Sequence, residues 1–270
     1  MEQQRFEDGE NWARKADYSF PEVRYNIKVE PMLRQLANGW VTRNRYDAEC
    51  LNSPILFAAD IDFRTDDDTI ASRDIVREVF YSYGMTSKIT IEPLRMVETR
   101  LREVIADPVG NEMREHAAYR ARKGTIEDIA REMAIDCQRG DPAVALLLLE
   151  RLGYFNRLGF RLYESRNGFR VICSSTVFGL RTDAEKAVAG HLQKRLFCDH
   201  AYRYICAEQG LFRLRLTPKP WRTCDGTGRA ARYIGTYGSE EIEPRLAELI
   251  AEHDRVACVD PSGGSETWLA

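Results

Sequence analysis

A chain of 270 residues and 31.1 kDa is long enough for one large domain or two small ones. Its 44% hydrophobic and 10% aromatic content suffices for a core, and its 30% charged residues balance to a net charge of -3, which excludes a whole-chain nucleic-acid footprint and leaves any basic surface local. No apolar run approaches the length that crosses a membrane, and the polar, acidic start shows no signal peptide, so a cytoplasmic protein is expected.

In chain order, residues 1–50 are polar and mixed, with a helix expected over 29–37 and ended by Asn38-Gly39. Residues 55–62 read as a strand, an apolar run that ends in Asp60-Ile61-Asp62. Ser72 caps a helix with Ile75, Val76, Val79 and Phe80 on one face, and residues 88–91 suit a strand. Leu94, Val97, Leu101 and Val104 form a helical stripe. Thr125 to Asp128 opens a second helix, and Asp141-Pro142 a third that Gly153 terminates. Residues 160–164 and 169–173 are two strands around the hairpin dipeptide Asn167-Gly168. A helix from Thr182 to about Leu196, a strand over 211–216, a possible strand over 233–236, a helix over 239–253 and a short last strand over 255–259 complete the chain.

Intermixed strands and helices with a hairpin predict an α+β fold with a mixed or antiparallel sheet. Residues 1–93 and 154–270 supply its two parts, and 94–153 form a helical block inserted in the sheet or packed beside it, in a single composite domain.

Asp60 and Asp62 share one face of their strand and repel unless a cation lies between them. A divalent metal answers that need; the plainer reading is a strand ending at a polar loop. Arg166 and Arg170 flank the glycine turn, where either could grip a phosphate; the plainer reading is a surface hairpin. Arg213 and Arg215 alternate with Phe212, Leu214 and Leu216, and Lys219, Trp221 and Arg222 follow, a basic stripe with a stacking surface suited to phosphate or single strands. The same stripe is also what a half-buried edge strand with acid-paired arginines looks like. The 7 cysteines include no C-x-x-C, so reduced core thiols are expected, with Cys198, His200 and Cys206 as a lesser zinc candidate. None of the 4 histidines stands in a triad context, and no P-loop or G-x-G-x-x-G occurs.

The order of these pieces resembles the archaeo-eukaryotic primase and primase-polymerase superfamily over roughly residues 50–64 and 160–222. Asp60-Ile61-Asp62 matches its D-x-D strand end, and Ser165-Arg166-Asn167-Gly168-Phe169-Arg170 its S-G-x-G-x-H hairpin. Asp199 suits its third acid, and residues 211–222 loosely match its late strand. Arg170 stands where the family has histidine, and Thr217-Pro218-Lys219-Pro220-Trp221 replaces the glycine-bearing form.

The resemblance implies an RRM-like core and a nucleotidyltransferase acting on nucleic acid and nucleoside triphosphates, within reach of protein partners. It implies that Asp60, Asp62 and Asp199 hold two Mg2+ or Mn2+ ions, and that Arg170 and Lys219 steady phosphates. Arg213, Arg215 and Arg222 would lie near nucleotide or template, with Trp221 stacking. The exchange of histidine for Arg170 equally suits a catalytically inactive relative that binds nucleic acid or nucleotide within an assembly. A haloacid-dehalogenase-type phosphatase, which also runs a strand into D-x-D, comes third.

Overall fold

A computed structural model describes residues 30–62, 93–115, 142–165, 168–218 and 229–258. In chain order these form β1 (Met32–Leu36), β2 (Gly39–Arg43), β3 (Glu49–Ser53), β4 (Ala58–Asp62), α1 (Pro93–Ala106), α2 (Pro142–Arg151), β5 (Gly159–Ser165), β6 (Gly168–Cys173), α3 (Asp183–Arg195), α4 (His200–Gln209), β7 (Phe212–Arg215), β8 (Arg232–Gly238) and α5 (Pro244–Ala257). The strands make two four-stranded sheets, ordered β1-β2-β3-β7 and β4-β6-β5-β8. Every pairing is antiparallel, so the fold is α+β as expected. The helix expected at Ser72, the strand over 88–91 and the helix opened by Thr125 lie outside the described residues.

The β5–β6 hairpin is the centre of the second sheet. Ser165 pairs with Gly168 at the end of its ladder. All six residues of β6 are buried, as befits a central strand covered on both faces. On one face, Ala59, Ile61, Phe160, Leu162, Phe169 and Val171 pack with Val97, Leu101 and Val104 of α1, Leu146 of α2 and Val188, Ala189 and Leu192 of α3. The described helical residues between 94 and 153 therefore share a core with the sheet. On the opposite face, Ala58, Tyr163 and Ile172 meet Leu246, Leu249, Ile250 and Ala257 of α5, together with Val41, Leu51 and Leu214 of the first sheet.

Two expectations are corrected. Where a helix is expected over 29–37, Met32–Leu36 is β1, and Leu36 pairs with Gly39 across a two-residue turn at Ala37-Asn38. The Asn-Gly dipeptide read as a helix stop is thus part of a hairpin turn. Glycine is needed at 39 because a Cβ would come 2.5 Å from the Asn52 carbonyl oxygen and 2.8 Å from Leu249 Cδ2. The second correction is at residues 255–259, where the expected strand gives way to α5 running to Ala257. Leu246, Leu249, Ile250, His253 and Ala257 carry one buried helical stripe past the expected end, and Cys258 keeps only an isolated parallel bridge to Ala231.

Helix α4 escaped the sequence reading. Asp199 caps its start, its Oδ1 accepting from the Tyr202 backbone N–H at 2.8 Å, and Gly210 ends it in the left-handed conformation at φ 67°. Its neighbour α3 begins on a full capping box, with Thr182 and Glu185 bonded reciprocally to each other's backbone N–H.

Candidate functional site

The β4–β6 register places Asp60 opposite Arg170 and Asp62 opposite Gly168. The strands approach so closely there that a Cβ on Gly168 would lie 1.8 Å from the Ile61 carbonyl oxygen. Directly opposed residues share a face, so Asp60 and Arg170 meet side by side. Arg170 Nε donates to Asp60 Oδ1 at 2.9 Å. Its NH1 donates to the Arg215 carbonyl oxygen at 2.8 Å and to His253 Nε2 at 3.3 Å. The Arg170 side chain is 3% exposed and that of Asp60 29%, so the pair is a buried cation against a carboxylate at the rim. Burial works against the Arg170 charge, and the Asp60 carboxylate overcomes it, holding the guanidinium above its ordinary pKa.

Asp199 comes to the same strand through its backbone. Its N–H donates to the Asp60 carbonyl oxygen at 2.8 Å, while Gln193 Nε2 donates to the Ala58 carbonyl oxygen at 2.8 Å. The outer edge of β4 is thereby closed by the junction of α3 and α4. Asp62 is exposed at the strand end. The three acids thus gather around one end of β4, yet their carboxylates are not offered together. Asp60 Oδ1 is bonded to Arg170, and Asp199 Oδ1 is engaged as a helix cap. Among the described residues, the three metal-capable side chains whose ligand atoms lie within 4.8 Å of one another are His253, Asp254 and Cys258, not these acids. This donor set does not fit a two-metal centre: the charge that Asp60 needs beside it is supplied by a guanidinium.

Behind Arg170 lies a second polar layer that sequence reading missed. Asp254 Oδ1 accepts from Tyr163 Oη at 2.8 Å and faces His253 Nδ1 at 3.1 Å and Cys258 Sγ at 3.7 Å. Asp254 Oδ2 accepts from Arg161 NH2 at 2.7 Å. Arg161 Nε donates to Tyr163 Oη at 2.7 Å, and its guanidinium lies 4.5 Å from the ring centre of Tyr233. Tyr163 and Arg170 are paired in register across β5 and β6, and the Tyr163 ring meets His253 edge-on at 4.7 Å. The available signal was Arg161 and Tyr163 two apart on one strand face, with His253 on the apolar stripe of α5.

Geometry assigns the His253 tautomer. A guanidinium has no acceptor, so Nε2 must accept from Arg170, and the proton resides on Nδ1 and is donated to Asp254. Burial lowers the His253 pKa, and Arg170 adds to the effect against the opposing pull of Asp254. Asp254 is depressed below the usual carboxylate value despite burial, by hydrogen bonds from His253 and Tyr163 and the Arg161 charge. Burial pushes Tyr163 up and raises the Cys258 thiol to about 12. These facts argue against metal at His253, Asp254 and Cys258. Nδ1 already carries a proton; metallation there would turn an Nε2–H towards Arg170, and two guanidiniums already neutralise the neighbourhood. The raised thiol also disqualifies Cys258 as a nucleophile.

On β7 the alternation is as expected, with Phe212 and Leu214 buried and Arg213 and Arg215 on the other face. Arg213 NH2 bonds both oxygens of Glu30, at 2.6 and 2.7 Å, and Glu30 also accepts from Thr42 Oγ1 at 2.6 Å. Arg213 is thus in an acid-paired structural role. Arg215 has no hydrogen bond or ion pair from its side chain among the described residues; its carbonyl receives Arg170. Arg166, Lys219, Trp221 and Arg222 lie outside the described residues. Cys198 and Cys206 are buried thiols, with Cys206 pushed up to about 12 by burial, and they form no metal-capable group with His200 among the described residues.

Comparison with protein families, with curated proteins and with solved structures finds no match to this chain. Among the described residues, no helix is long and apolar enough to cross a membrane.

Proposed function

We propose that this chain is a non-catalytic, nucleic-acid-binding relative of the primase-polymerases, acting as one component of a larger assembly. The observation that carries the loss of catalysis is the Arg170–Asp60 pair. At the position where those enzymes need a carboxylate open to metal, a buried guanidinium is bonded at 2.9 Å. Arginine stays protonated at every working pH, so it cannot leave by titration as histidine can. Nucleic-acid binding rests on the basic stripe that begins at Arg215 and continues in sequence through Lys219 and Arg222 with Trp221 between them.

The test has two measurements. Fluorescence anisotropy with a labelled single-stranded oligonucleotide is expected to show salt-dependent binding, and Arg215→Ala is expected to reduce the slope of log K against log salt by about one. Labelled nucleotide with Mn2+ and a primed template is expected to show no incorporation by the natural chain. Incorporation abolished by Asp60→Ala would overturn the proposal.

The active-enzyme reading has one observation in its favour: the start of α4 is bonded to Asp60, so Asp60, Asp62 and Asp199 lie around the same strand end. In that reading the three acids would hold Mg2+ or Mn2+ for transfer of a nucleotide onto a 3′-hydroxyl, and the same incorporation assay decides it. The phosphatase reading needs parallel α/β alternation; β4 is an edge strand paired antiparallel with β6.

A further inference from the structure

Building on the proposal that Arg170 takes the place of a metal beside Asp60, we infer that His253 is a positioning residue of this site: with Nδ1 committed to Asp254, its Nε2 is a fixed acceptor that aims the Arg170 guanidinium at Asp60. The observations form one chain of bonds. Asp254 Oδ1 receives His253 Nδ1–H at 3.1 Å, His253 Nε2 receives Arg170 NH1 at 3.3 Å, and Arg170 Nε reaches Asp60 Oδ1 at 2.9 Å. The links come from α5, β6 and β4, so a side chain of the last described helix sets a group at the end of the strand that carries the candidate acids.

Among the described residues, the imidazole makes its hydrogen bonds to these two partners. It is 0% exposed, its ring is bounded by Tyr163 of β5, and the charged groups facing it are Arg170 of β6, Asp60 of β4 beyond it, and Asp254 on its own helix. From β7 the Arg215 carbonyl enters, sharing Arg170 NH1. Arg161 of β5 and Cys258 reach Asp254 rather than the ring. With His253 neutral, two arginines balance two carboxylates. A second proton can enter only at Nε2, where it replaces an acceptor with a donor pointing at a guanidinium.

The experiment follows Arg170 Nε–H by NMR in the full chain labelled with 15N-arginine, the signal assigned by its loss in Arg170→Lys. The natural chain is expected to show a protected signal at pH 7.5 that moves as the pH falls below about 6.5, the ordinary histidine value. His253→Gln, whose amide oxygen can accept from Arg170, should keep the protected signal and lose the pH transition. His253→Leu should lose the protected signal. If His253→Leu does not fold, His253→Gln alone carries the test. An unchanged pH transition in His253→Gln, or an unchanged signal in His253→Leu, overturns the inference. A packing role alone would produce no pH transition at Arg170 that the glutamine removes. Nucleotide incorporation that depends on Asp60 would instead overturn the functional proposal and leave this result standing.

Discussion

At the scale of single residues, the pair at the end of β4 is asymmetric. Arg170 is nearly enclosed, whereas Asp60 keeps about a third of its side chain in water. Removing the Asp60 carboxylate strands a buried charge; Asp62 lies exposed at the strand end, where a substitution costs less. Asp60→Ala is therefore expected to cost about 3 kcal/mol in chemical denaturation, and Asp62→Ala no more than about 0.5 kcal/mol. Equal effects would show that the buried guanidinium does not depend on Asp60. His253 adds a pH term with a definite sign. Its pKa is lower folded than unfolded, so below pH about 6.5 the unfolded chain binds the extra proton. Stability is then full above that value and falls as the pH drops towards the folded pKa. Denaturation midpoints from pH 8 to 5 should decline for the natural chain and decline less for His253→Gln. Asp254 acts lower on the scale: its depressed pKa supplies stability present above about pH 4 and lost as the pH falls through its folded value.

At the scale of elements, the glycines of α3 and β6 make opposite predictions. A Cβ on Gly190, inside α3, meets nothing within 4 Å, so Gly190→Ala should raise stability by about 0.5–1 kcal/mol. Gly168→Ala would drive a methyl into the Ile61 carbonyl and force β4 from β6; a loss of melting temperature together with disturbance of the Arg170 Nε–H signal is expected. At the head of α3, Thr182→Ala removes one half of a capping box and should cost about 1 kcal/mol by thermal or chemical denaturation.

What the sequence disclosed also sorts by element. The β5–β6 hairpin, α1, α3 and the alternation of β7 were legible because turn dipeptide, capping box and apolar period all agree there. β1 was not: Asn38-Gly39 serves a helix end or a hairpin turn equally well, and the deciding fact is the approach of Asn52 and Leu249, which are distant in sequence. At the site, Asp60 and Arg170 were singled out, but their bond was not visible, since it depends on strand register. His253 and Asp254 were hidden inside an ordinary amphipathic stripe.

At the scale of the whole molecule, the two sheets share an apolar core with α5 and are joined by a few polar ties. Leu249 of α5 is placed 2.8 Å from where a Gly39 side chain would begin, and Arg34 of β1 bonds both Glu252 of α5 and Glu49 of β3, at 2.7 and 2.6 Å. Arg170 crosses between sheets by reaching the Arg215 carbonyl. Arg34→Ala should therefore loosen the first sheet preferentially, seen as faster hydrogen exchange in β1 and β2 with β6 least affected. Uniform acceleration through both sheets would contradict the division.

The closure of β4 by Gln193 and Asp199 has a consequence for self-association. An unguarded edge strand is a template on which other chains can add. Two outward carbonyls of β4, those of Ala58 and Asp60, are already bonded to a side-chain amide and to the first residue of a helix cap. The opposite edge, β8, is interrupted by a bulge in its pairing with β5. Fibrillar stacking through the second sheet is thus obstructed at both margins, and the obstruction at β4 comes from the same Asp199 that marks the candidate site.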